Sequence, residues 1–87
     1  MKSIWKFPLE VTDNQTVELP VGAKALSVQV QNEKPCLWAM VDTKTKIESR
    51  VIQIFGTGHP VLNEGDYIGT FQMLGGSLVF HAFIKPN

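Results

Sequence analysis

The sequence predicts an all-β fold, a compact sandwich or partly open barrel of about seven mostly antiparallel strands. Three observations predict it. Apolar and polar residues alternate with period two through most of the chain, and no window carries convincing helical periodicity. Clusters of Gly, Pro, Asn and Asp interrupt the alternation at strand-length intervals.

In IWKFPLEV, the residues Trp5, Phe7, Leu9 and Val11 share one parity and predict a strand with one buried face. Pro8 has no N–H for a ladder, which places this strand at an edge. TDNQ at 12–15 is a turn, and the alternating TVEL strand closes at Pro20 and Gly22. ALSVQVQ should bury Leu26, Val28 and Val30 and expose Ser27, Gln29 and Gln31. After the turn at Asn32, Glu33 and Lys34, the strand CLWAMVD is apolar on both faces: Leu37, Ala39 and Val41 on one, Cys36, Trp38 and Met40 on the other. Such a strand is central or is covered from outside its own domain.

TKTK at 43–46 reads as a hairpin tip, followed by the strand IESRVIQIF and then FGTGHP. VLNEGD is a loop, and YIGTFQML and SLVFHAFI flank Gly75-Gly76, the signal of a tight hairpin. The last strand is again apolar on both parities. The two double-faced strands offer more apolar surface than one small sandwich readily covers, so a homo-oligomer such as a tetramer is expected.

Composition narrows the function classes. Eighty-seven residues make a single domain, 1–87, with a thin margin of core. Charged residues are 18% of the chain, below the roughly 25% of ordinary domains. Net charge is zero, there is no basic tract, and Arg50 is the only arginine; duplex nucleic acid is thereby disfavoured as a partner. One cysteine, Cys36, fits a reducing compartment, and no run approaches the apolar length of a signal peptide or membrane span. The expectation is a soluble intracellular protein without a membrane partner.

Little in the sequence suggests catalysis or metal binding. Cys36, His59 and His81 are isolated, without the ligand spacing of a zinc site. Cys36, beside Pro35 and Leu37 in a strand, reads as a buried thiol. Glu64 and Asp66 sit among turn residues and read as solvated loop charges.

FGTGHP is different, because Gly56 and Gly58 bracket Thr57 and precede His59. One reading is a glycine-assisted turn. The other is a concave set of N–H groups that binds an anion, with the Thr57 hydroxyl and the His59 ring beside it. No Gly-Lys-Ser/Thr follows, so it is not a P-loop. Arg50 and Lys6 would add charge for phosphate, and Trp5 or Trp38 would stack on a base.

The pieces KFPLEVTDNQTVELPVGAKALSVQVQ, PCLWAMVD, FGTGH and YIGTFQMLGGSLVFHAF resemble a family of small phage and prophage proteins of unassigned function. PCLWA and GTGH are the most specific of these signatures. In size, phage origin and multimeric habit the chain is similar to the anti-CBASS sponges, which sequester cyclic nucleotides such as 3′3′-cGAMP without cleaving them. That resemblance implies a non-enzymatic, oligomeric protein of the host cytoplasm that needs no cofactor and takes a cyclic nucleotide as its ligand. The residues offered for that ligand are Trp5, Lys6, Trp38, Arg50, Gly56, Thr57, Gly58 and His59. A phage structural or protein-interaction module, using the same apolar surface for a protein partner, is the alternative.

Overall fold

A computed structural model describes residues 1–86. Seven strands form two antiparallel sheets. In chain order they are β1 (Lys2–Pro8), β2 (Asn14–Pro20), β3 (Lys24–Gln31), β4 (Lys34–Asp42), β5 (Ile47–Gly56), β6 (Asp66–Met73) and β7 (Leu78–Ile84). One sheet has the order β1-β4-β3 and the other β2-β5-β7-β6. The expected all-β architecture is observed, as a sandwich and not a closed barrel.

The core lies between the sheets. Leu9, Val28, Leu37, Ala39 and Val41 come from the three-stranded side, and Leu19, Ile52, Ile54, Phe71, Ala82 and Ile84 from the four-stranded side. Each fully buried leucine or isoleucine in this set contributes about 1.5–3 kcal/mol over an exposed one. Along one seam β3 and β6 come close. Gly69 lies against Val28, where a Cβ would stand 3.2 Å from the Val28 backbone nitrogen.

β1 is an edge strand, paired only with β4. Leu9 N–H donates to the Pro35 carbonyl and Thr43 N–H to the Met1 carbonyl, each at 2.9 Å. Odd-numbered residues of β1 therefore bond toward β4, and even-numbered ones turn their N–H groups to the free edge. Pro8 occupies an even position and costs the ladder nothing. The strand stops there: Leu9 is buried just beyond it, while Val11, assigned to the same buried face from the alternation, is 43% exposed in the turn.

The β3 expectation needs a correction. The register shifts between Ala25 and Ser27, so that Ala25 pairs with Ala39 and Ser27 with Trp38. Leu26 is the extra residue of this bulge and is 44% exposed, while Ala25 takes the inward position. A bulge inverts parity locally, and alternation cannot register it. The β3–β4 turn has positive φ at Asn32 and Glu33, the two-residue type I′ pattern that matches strand twist. β6 and β7 form the expected hairpin around Gly75-Gly76, through a short turn over Leu74–Gly76 in which Leu74 also takes positive φ.

Candidate ligand site

The eight residues singled out for a ligand fall at four separate places. Trp5 and Trp38 lie on opposite faces of one sheet. Trp5 pairs with Ala39 on the inward face and sits 6.4 Å, ring to ring, from Phe7. Trp38 pairs with Lys6 on the outward face, with Ser27 on its other side. A single ligand within one chain cannot stack on both tryptophans. Lys6 and Trp38 are brought together, with Lys6 Nζ donating to Gln31 Oε1 at 2.9 Å.

Arg50 is held elsewhere. Its side chain is 13% exposed, and its Nε and one terminal nitrogen donate to the Lys85 carbonyl at 3.1 and 2.8 Å. Gly56 lies six positions further along β5, roughly 20 Å of extended chain.

The GTGH stretch begins as β5 ends, and its two glycines do different jobs. His59 N–H donates to the Gly56 carbonyl at 3.1 Å, closing a four-residue turn. Gly58 has φ +88° at the third position, which a type II turn reserves for glycine. Gly56 does not take a positive φ. Instead the His59 ring packs over it, and a Cβ there would stand 3.2 Å from Nδ1. One glycine supplies backbone freedom and the other supplies room for a ring.

The expected row of N–H groups is not assembled within this turn. Thr57 N–H and its hydroxyl both point to the Val79 carbonyl, at 3.0 and 3.1 Å, and the His59 amide closes the turn. The Gly58 N–H and the exposed His59 ring remain open to solvent.

Beyond the turn, residues 57–65 fold back over the outward face of β5. Gln53 holds this loop: its Nε2 donates to the Asn63 carbonyl at 3.1 Å, and Gly65 N–H donates to its Oε1 at 2.9 Å. Both halves of the amide are used, and Gln53 is 4% exposed. The β2–β5 register sets Asn14 opposite Gln53, so the 10–14 turn faces the returning loop. Between them lies a cleft of about 400 Å³ lined by Asp13, Asn14, Gln53, Phe55, His59, Pro60 and Leu62. His59 also lines a second cleft of about 400 Å³ on its other side, with Thr57, Leu78 and Phe80.

The 10–14 turn is braced like the loop. Glu10 N–H donates to Gln15 Oε1 at 2.9 Å, and Gln15 Nε2 donates to the Glu10 carbonyl at 2.6 Å. The Asp13 carboxylate makes no hydrogen bond or ion pair with any described residue. Phe55 directly precedes GTGH in the chain, whereas Asp13 and Asn14 carried no signal in the sequence that linked them to it, because strand register alone joins them.

His81 is taken up by hydroxyls. Its Nε2 lies 2.8 Å from Thr57 Oγ1 and its Nδ1 3.0 Å from Thr70 Oγ1, which lies 2.6 Å from the Tyr67 hydroxyl. Beside this row, Phe83 makes edge contacts with Phe55 and Tyr67 at 5.7 and 5.6 Å. Cys36 is buried at 3% exposure, as its strand context suggested. Among the described residues, no group of three His, Cys, Asp or Glu side chains is arranged to hold a metal ion.

A family model described as a domain of unknown function, DUF7352, matches residues 1–87. The chain belongs to the DUF7352 family. No curated protein and no solved structure gives a match. For this DUF7352 chain, the functional reading therefore rests on the cleft beside His59 and on chemistry.

Proposed function

We propose that this protein is a phage-encoded sponge: an oligomeric binding protein that sequesters a cyclic oligonucleotide messenger in the host cytoplasm without cleaving it. The observation that carries the reading is the cleft between the 57–65 loop and the start of β2. It combines an aromatic ring (Phe55), a ring that can carry positive charge (His59) and hydrogen-bonding side chains (Asp13 and Asn14) on two braced segments. Those are the groups a nucleotide needs: a face to stack on, a cation or N–H for phosphate, and polar atoms for the base edge. Small-molecule sites span about 300–1,000 Å³, and this cleft stands near the lower end. One cleft matches one nucleotide unit, and a cyclic dinucleotide would engage the clefts of two copies.

The test is a thermal-shift panel of cyclic mono- and dinucleotides. A ligand at 100 times its Kd stabilises by about 2.7 kcal/mol, which for a domain of this size raises Tm by on the order of 10 °C. The bound ligand, released by heat, should be recovered intact. If no nucleotide raises Tm the reading is lost, and recovery of a linear product would make the protein a phosphodiesterase.

A second reading rests on a different observation. The outward face of the β1-β4-β3 sheet shows Ile4 and Leu26, 54% and 44% exposed, around Trp38 and Met40, with Lys2, Lys6 and Lys24 on the same face and Asp42 opposite Lys2. An acidic protein partner fits that pattern of apolar centre and basic rim. Capture of such a partner by the parent but not by Trp38→Glu, with no nucleotide response, would favour it.

A further inference from the structure

We infer that Asp13 makes the cleft selective for guanine over adenine. This rests on the nucleotide reading above and goes further, to which base is read and by which residue. Asp13 lines the cleft with a carboxylate that no described residue engages. An ionised carboxylate only accepts hydrogen bonds, and its two oxygens suit two donors side by side.

Among the common bases, guanine presents that pair, N1–H and the exocyclic N2–H, on its Watson–Crick edge. Adenine offers one donor, N6–H, beside the N1 lone pair, which a carboxylate repels. The neighbouring Asn14 amide adds an N–H donor for guanine O6. Phe55 and Leu62 provide apolar surface for the base. His59 lies on the opposite wall, next to the open Gly58 N–H, and takes the phosphate. Base and phosphate thus meet groups of opposite character at separate ends, and the negative charge of Asp13 need not face the negative charge of the ligand.

Bracing makes the arrangement selective as well as possible. The Glu10–Gln15 pair holds the turn that carries Asp13, and Gln53 holds the loop that carries the far wall. With the backbone of that turn held, the exposed Asp13 carboxylate stays beside the cleft, where a guanine edge offers it two donors and an adenine edge sets a lone pair against it.

Isothermal titration of the full chain with cyclic di-GMP and cyclic di-AMP tests this directly. The parent should favour cyclic di-GMP by about tenfold or more, the discrimination one bidentate base contact supplies. Asp13→Asn, at an exposed turn position, should keep its melting temperature and bring the ratio of the two affinities close to one. His59→Ala should weaken both ligands alike and preserve the ratio. Equal affinities in the parent, or a preference that survives in Asp13→Asn, would overturn the guanine inference and leave the nucleotide reading standing. If neither dinucleotide binds the parent the guanine inference is lost, and the nucleotide reading is lost with it when no nucleotide of the thermal-shift panel raises Tm.

Discussion

Arg50 donates twice to the Lys85 carbonyl and so ties the chain beyond β7 to β5, alongside the Lys85 N–H bond to the Val51 carbonyl. Its residue type suggested phosphate, and its position assigns it to the fold. Arg50→Ala leaves that carbonyl without its charged donors and should cost about 2 kcal/mol, lowering Tm by on the order of 10 °C. Nucleotide affinity measured well below the melting range should be unchanged; a selective loss of affinity at full stability would return Arg50 to the ligand. Asp42 gives a pH-dependent counterpart. Lys44 N–H donates to Asp42 Oδ1 at 3.0 Å and holds the carboxyl below its ordinary value. A depressed folded pKa contributes stability that is present at neutral pH and is lost as pH falls through that folded value. Melting curves from pH 7 down to the acid range should therefore fall more steeply for the parent than for Asp42→Asn. Parallel curves would show that the carboxylate does not contribute.

At the scale of elements, the strands were legible because alternation is local, and the places where legibility failed are places where pairing decides. The bulge at Leu26 changes no residue type and is visible only in the register with β4. The two tryptophans could be assigned to strands from sequence, but their opposite faces follow from the pairing of β1 with β4. Likewise FGTGHP was recognisable as special, whereas the Asp13 side of its cleft arises from the β2–β5 register. Gln53 was one of several polar residues in its strand, and nothing in that strand shows that it anchors a loop. Its substitution tests how far the cleft depends on that anchor. Gln53→Ala leaves the Asn63 carbonyl and the Gly65 N–H without their partner and should cost about 1–3 kcal/mol. Hydrogen exchange at the Gly65 amide should speed up well beyond the change in global stability, and nucleotide affinity should fall with it. Unchanged exchange at Gly65 would show that the loop is held by its other contacts.

At the scale of the whole molecule, a sandwich of this length buries one face of each sheet and leaves the other face to solvent or to a neighbour. On the β1-β4-β3 sheet the outward face is apolar at its centre, with Trp38 and Met40 half-buried and Ile4 and Leu26 exposed. Self-association through this face would remove that surface from water, at about 25 cal/mol per Å² of apolar area. It would also bring Lys2, Lys6 and Lys24 of two copies toward one another, because a two-fold contact repeats the same patch on both sides. The apolar term draws the copies together and the lysines oppose it, so the two can be separated by ionic strength. Salt shortens the range of the repulsion, to about 8 Å at 0.15 M and 3 Å at 1 M, and leaves the apolar term in place. Light scattering should thus report a mass above the 9.7 kDa monomer, with the oligomer strengthened by added salt. Trp38→Glu should dissociate it without unfolding the chain, since Trp38 lies outside the shared core. A monomer at micromolar concentration and high salt would remove self-association from the account. An oligomer that salt weakens would place the contact on a surface of opposite charges instead.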